Sequence, residues 1–144
     1  MWYNRRMGRV LALDVGDRRI GLAVSDPMKI IANPLETLFR KDLESDIEYL
    51  LGIIKEKEVE LIVSGLPVSL AAKETEQTVK TREFIEELKK HTDLPIRFID
   101  ERLTTSLSER VLIEGGVRRE NRKQVIDKVA ATVILQNYLD YYRK

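Results

Sequence analysis

A chain of 144 residues with 43% hydrophobic and 34% charged residues fits one globular domain, and a domain of this size buries roughly 70% of the surface its unfolded form exposes. The longest stretch without a charge, Leu61 to Ala72, is too short to cross a bilayer, and the N-terminal MWYNRRMGRV lacks the apolar segment of a signal peptide; no membrane partner and a cytoplasmic location are expected. The absence of cysteine excludes disulfides, thiolate zinc sites and a cysteine nucleophile, and the net charge of +1 hides an uneven spread, acidic over Asp42 to Glu60 and basic over Arg118 to Lys123, the side from which a polyanion would approach.

In chain order, Gly8 to Val15 (GRVLALDV) is a nearly continuous apolar run, the pattern of a strand buried on both faces. After a Gly16-Asp17 turn, Arg18 to Ser25 predicts a second strand, so close in sequence that it must return antiparallel. A third strand is expected over Ile30 to Phe39, interrupted at Asn33-Pro34. From Leu43 the apolar residues Ile47, Leu50, Leu51 and Ile54 fall at helical spacing, with Asp42 placed to cap. Leu61 to Leu66 predicts a buried strand, Glu74 to His91 a helix, and Pro95 to Asp100 a fifth strand. Ser106 and Glu109 fit a capping box for a short helix ending at Gly115-Gly116, and a last helix spans Glu120 to Tyr142. Helical crossovers imply parallel strands, so the expected fold is α/β: a five-stranded mixed sheet, its first three strands antiparallel and the others parallel to strand 1, with helices on both faces. No linker or repeat divides residues 1–144.

Asp14 is out of place in that apolar first strand, because burying an uncompensated carboxylate is costly. A turn-initiating aspartate before Gly16 is the competing structural role. Asp100 and Glu101 end the fifth strand, and if strands one and five are parallel, Asp14 and Glu101 open onto one sheet edge, where open α/β sheets place their ligands. Asp127 lies in DKVAATVI, on one helical face with Ala130, Ala131 and Ile134, small residues that would let the helix press onto the sheet; the alternative is a solvent-facing Asp paired with a lysine. Together the three carboxylates form a set of hard oxygen ligands suited to Mg²⁺ or Mn²⁺, and two such ions could drive an in-line displacement at phosphorus without a protein nucleophile. His91, the sole histidine, ends a helix and fits a contact with its dipole. The tyrosines at 138, 141 and 142 read as helix packing.

At these residues the sequence resembles the YqgF family, provisionally described as pre-16S rRNA nucleases and as Holliday-junction-resolvase-like, within the RNase H-like superfamily. Four blocks carry the resemblance in order: GRVLALDVGDRRIGLAVSD at Gly8 to Asp26, IVSGLP at Ile62 to Pro67, DERLTT at Asp100 to Thr105, and DKVAATVILQNYLD at Asp127 to Asp140. The resemblance implies an RNase H-like fold, assigns catalytic metal binding to Asp14, Glu101 and Asp127, and thereby selects Glu101 over Asp100. It further implies RNA as substrate in preference to branched DNA, and ribosomal precursor particles as the context. Arg18, Arg19, Thr104 and Thr105 flank the carboxylate edge, where their guanidinium and hydroxyl groups could donate hydrogen bonds to phosphates, and the basic run Arg118, Arg119, Arg122 and Lys123 precedes the Asp127 helix, where it could close over nucleic acid; strand-end charges and helix caps are the structural counterparts. After Gly-Leu-Pro the family reads Asn-Met-Asp-Gly, whereas this chain has Val68-Ser69-Leu70-Ala71-Ala72, so no residue of that loop is carried into the site.

Three other readings remain. An actin- or hexokinase-like ATPase would need a second related domain that 144 residues cannot supply. A non-catalytic RNA- or ribosome-binding module would keep the fold without turnover. A junction resolvase would act as a dimer that cuts two strands symmetrically.

Overall fold

A computed structural model of the protein describes residues 8–67, 73–100 and 122–142, with the side chains of 122–128 and 142 outside the description. Five strands, β1 (Arg9–Val15), β2 (Arg19–Ser25), β3 (Ala32–Phe39), β4 (Val59–Leu66) and β5 (Ile96–Asp100), form one sheet in the order β3-β2-β1-β4-β5. β1, β2 and β3 are an antiparallel meander, and β4 and β5 run parallel to β1. The short turn after β1 permits only an antiparallel return, whereas α1 (Leu43–Glu56) and α2 (Glu76–Lys89) supply the crossovers that parallel neighbours require. The mixed sheet expected from the sequence is therefore present. A third helix, α3 (Arg122–Asn137), runs into a π-helical turn at Tyr138–Tyr142.

β1 occupies the middle of the sheet and divides the core. Leu11, Leu13 and Val15 join Ile20 and Leu22 against Ile47 and Leu50 of α1 and Phe84, Ile85 and Leu88 of α2. Val10 and Ala12 face the other way, with Ala23, Val63 and Ile99, against Ala131, Ile134 and Leu135 of α3. Both parities of β1 are thus buried, which is why its sequence lacks polar alternation. Ala12, Ala23 and Ala131 are all fully buried, and their small side chains let α3 lie close on the sheet.

Several boundaries move for local reasons. β3 starts at Ala32, and its partners skip Leu35, because Leu22 pairs with Glu36 and Ala23 with Pro34. This bulge accommodates Pro34 on an edge strand, where a missing N–H is tolerated. Asp42 caps α1 as expected, accepting the Ser45 N–H at 2.8 Å. α2 begins at Glu76 instead of Glu74, because Thr75 and Thr78 form a reciprocal capping box. The expected short helix from Ser106 to Gly116 lies outside the described residues. Tyr138 packs into the core as expected, but Tyr141 is 73% exposed.

The side chain of Gln136 fixes the orientation of α3. Its Oε1 accepts the Ala32 N–H at 2.9 Å and its Nε2 donates to the Ile30 carbonyl at 3.1 Å. Ala32 begins β3 and Ile30 shortly precedes it, beside the end of β2, where the Ser25 hydroxyl accepts the Val10 N–H at 2.9 Å. The C-terminal part of α3 is thereby pinned at the sheet end where β1 starts.

Candidate functional site

Asp14 is the last residue but one of β1 and is half-buried. Strand alternation puts it on the face of Val10 and Ala12, the side that α3 covers. Its partner on β2 is Gly21, and continuing the β1–β4 register one residue past Leu13 and Ser64 brings Gly65 to its other side. Neither flanking residue has a side chain. The two strand positions beside the carboxylate thus lack the side chains that Ala12, Val63 and Ile99 contribute elsewhere on this face, and glycine within a strand often marks close approach by a ligand.

The turn after β1 is tightly held. The Gly16 N–H donates to the Arg19 carbonyl at 2.8 Å, and a Cβ at position 16 would lie 2.8 Å from that same oxygen, so only glycine fits without displacement. Arg40 grips the turn from the end of β3: its Nη1 donates to the Gly16 carbonyl at 2.9 Å and its backbone N–H to the Arg18 carbonyl at 2.9 Å. The guanidinium lies 4.9 Å over the Phe84 ring, and its Nε donates at 3.1 Å to Asp46, a carboxylate only 2% exposed. The other Asp46 oxygen accepts the Lys41 N–H at 3.1 Å. From α2, Gln77 Nε2 donates to the Val15 carbonyl at 3.1 Å. Lys80 pairs with Asp17 at 3.3 Å, and this contact, chiefly its hydrogen bond, raises the Lys80 ammonium above its ordinary value.

β1, β4 and β5 are parallel and end at one edge, so Asp14 and the end of β5 share it, two strands apart. Asp100 is exposed as the last residue of β5; Glu101, Thr104, Thr105, Arg118 and Arg119 lie outside the described residues. Arg122, Lys123 and Asp127 are backbone positions of α3, their side chains outside the description. Arg18 is exposed in the turn and Arg19 is half-buried at the start of β2. Among the described residues no three His, Asp or Glu side chains gather as metal ligands. His91 follows α2 at its far end, with Nε2 3.6 Å from Glu87; about 20 Å of helix separates it from the end that contacts Val15. Asp26, at the opposite sheet end, is held below its ordinary carboxylate value by N–H groups of Ile31, Ile30 and Met28.

Sequence reasoning singled out neither the two glycines beside Asp14 nor the Arg40–Asp46 pair. The glycines stand inside the family blocks and become legible once the strands are put in register. Arg40 and Asp46 have no such signal, being an arginine at a strand end and one acid among many on an amphipathic helix.

Residues 8–141 match the family model of RuvX, described as Holliday junction resolvase. A protein of Clostridium novyi, provisionally named pre-16S rRNA nuclease, is 50% identical over 132 residues, 92% of this chain and 98% of that one. A Halothermothrix orenii protein of the same name is 48% identical over 136 residues, 94% and 97% of the two chains. Among solved structures, T. thermophilus RuvC in complex with Holliday junction substrate is similar with a TM-score of 0.59 at 12% identity, over 94% of this chain and 96% of that one. The fowlpox virus resolvase in complex with junction DNA gives 0.57 at 10% identity, over 94% and 99%. At such identities the likeness concerns the fold, the RNase H-like sheet and its covering helices. No helix among the described residues is long and apolar enough to cross a membrane. The family match thus runs from Gly8 to Tyr141, across all five strands and α3, and the chain belongs to the RuvX family of nucleases.

Proposed function

We propose that this protein is a metal-dependent phosphodiester hydrolase of the cytoplasm that processes the 5′ end of pre-16S rRNA within ribosomal precursor particles, with residues 1–144 acting as one nuclease domain. The observation that carries the reading is the glycine-flanked Asp14 at the edge where β1 and β5 both end.

Asp14, Glu101 and Asp127 are the residues that would hold the metal. Asp100 ends β5 at the edge it shares with Asp14, and the family resemblance of the DERLTT block selects the residue after it, Glu101, over Asp100. Position 127 precedes Ala131 by one helical turn and Gln136 by nine residues, about 13 Å. Val10 to Asp14 also spans about 13 Å of strand. With Gln136 pinned at the beginning of β3, this spacing supports Asp127 lying abreast of Asp14. The donor set is all carboxylate, with no cysteine in the chain and the one histidine at the far end of α2, which fits Mg²⁺ or Mn²⁺ and disfavours zinc.

A pair of such ions would supply activation of the attacking water and stabilisation of the departing oxygen. The protein's own part is positional. β1 fixes Asp14, the Gly16 turn holds the start of β2, and Gly21 and Gly65 leave room for a phosphate to approach. Arg18 and Arg19 leave the turn on the same edge, where guanidinium groups can hold flanking phosphates. Thr104, Thr105, Arg118, Arg119, Arg122 and Lys123 are proposed to extend that contact.

A second reading, junction resolution, is favoured by the description of the matching family model. Incubating end-labelled structured RNA and a four-way DNA junction with the protein and Mg²⁺ or Mn²⁺ separates the two. Metal-dependent cutting of RNA in preference to the junction is expected; symmetric cutting of the junction alone would transfer the assignment to the resolvase, and binding without any cutting would leave a non-catalytic module.

A further inference from the structure

The carboxylate face continues past Asp14 toward the edge strand. Gly21 pairs with Thr37, and two residues nearer the site edge Arg19 pairs with Phe39. Leu38 pairs with Ile20 and packs in the α1–α2 core, so alternation puts Phe39 on the opposite face, the one that carries Asp14. Between the two lie Gly21, without a side chain, and Thr37. Two strand spacings and two residues separate Asp14 from Phe39, about 12 Å. That is the length of roughly three to four stacked nucleotides at ~3.4 Å per step.

Phe39 is 51% exposed at the last position of β3, so about half of its surface faces solvent. Its surroundings are cationic: Arg19 beside it in register, with exposed Arg18 and Lys41 on the adjoining turn and elbow. The acids nearby are engaged, Asp17 with Lys80, Asp46 with Arg40, and Asp42 with the Ser45 N–H. The other strongly exposed apolar side chains of the β2–β3 hairpin, Met28, Ile30 and Ile31, sit at the opposite sheet end and have no such relation to Asp14.

We infer that Phe39 is a stacking platform for an unpaired base of the nucleic-acid strand whose phosphate lies at Asp14, with Arg19 holding the intervening backbone. An exposed aromatic ring beside arginines is the arrangement with which proteins hold single strands, since every base has a π-face and every linkage a phosphate. The inference rests on the nuclease reading and adds a substrate requirement, a single-stranded segment beside the scissile bond.

The test is binding of a 12-nucleotide single-stranded RNA carrying 2-aminopurine at successive positions, measured by anisotropy and base fluorescence on an Asp14→Asn background, so that turnover plays no part. Phe39→Ala and Phe39→Leu should each weaken binding roughly 5- to 150-fold, the usual worth of one stacked base, and should restore 2-aminopurine emission at one position. Phe39→Trp should bind as the parent does. Arg19→Gln should lower the salt slope by about one. Equal binding by parent, Ala and Leu variants would overturn the inference while leaving the nuclease reading intact; so would an Ala variant that changes only self-association, which would assign Phe39 to contact between copies. No RNA binding by the parent at any salt concentration would sink the inference and the RNA reading together.

Discussion

Removing the Asp46 carboxylate tests whether the brace behind the β1–β2 turn is as important as its geometry indicates. Asp46 is 2% exposed, and its oxygens receive the Arg40 Nε at 3.1 Å and the Lys41 N–H at 3.1 Å. Breaking a buried pair by deleting one partner typically costs ~3–5 kcal/mol. The Arg40 side chain is 22% exposed and would keep its contacts with the Gly16 carbonyl and the Phe84 ring, so the lower end applies. Asp46→Ala is expected to cost about 3 kcal/mol in urea denaturation and to lower Tm by roughly 5–10 °C. The double variant Arg40→Met with Asp46→Leu should recover most of that stability, because an apolar pair of similar volume removes the stranded charge. It should not recover cleavage, because the grip of Arg40 on Gly16, two residues from Asp14, is gone. A loss below about 1 kcal/mol for Asp46→Ala would show that solvent already screens the pair and would refute the reasoning.

Gly16→Ala drives a Cβ to 2.8 Å from the Arg19 carbonyl, and a loss of about 1–2 kcal/mol is expected by the same denaturation assay, with Gly52→Ala, where nothing lies within 4 Å, as an unstrained control. The hydrogen bonds to Asp26 predict acid sensitivity. Native Asp26 is held below its ordinary 3.8, so the stability it contributes is complete above that value and is lost as pH falls through its lower native pKa. Asp26→Asn should flatten the acid limb of stability against pH below about 4, and an unchanged limb would count against the N–H cluster from Met28 to Ile31 as its origin. Gln136→Ala should release the Ala32 and Ile30 backbone from α3 and lower stability by about 1 kcal/mol, read as faster amide exchange at the start of β3.

The sheet was legible in the sequence wherever burial was two-sided. GRVLALDV declared a central strand because both of its parities meet helices, and the turn at Gly16 left only an antiparallel partner. α1 was readable from Ile47 and Leu50 with Asp42 as cap. Less readable was the start of β4, since Val59 and Glu60 precede the apolar run and are strand only by pairing alongside β1. The bulge at Leu35 follows from fitting Pro34 into an edge, a requirement of register that no periodicity displays. Of the candidate site, Asp14 and its edge could be read from the misplaced acid. The glycines beside it required the register that sets Gly21 and Gly65 at its sides. Arg40 and Asp46 are neighbours six positions apart only because an elbow joins β3 to α1. Phe39 became significant only when alternation assigned it to the face of Asp14.

The central claim, that three named carboxylates at one sheet edge cut nucleic acid with divalent metal, is tested most directly by single-turnover cleavage of the preferred substrate in Mn²⁺ by Asp14→Asn, Glu101→Gln, Asp127→Asn and Asp100→Asn. The account predicts that each of the first three loses at least about 100-fold in rate, in the range seen for removal of one preorganised electrostatic group, while Asp100→Asn stays within a few-fold of the parent. Parent-like cleavage by Asp14→Asn, or a loss in Asp100→Asn as deep as in Glu101→Gln, would contradict it.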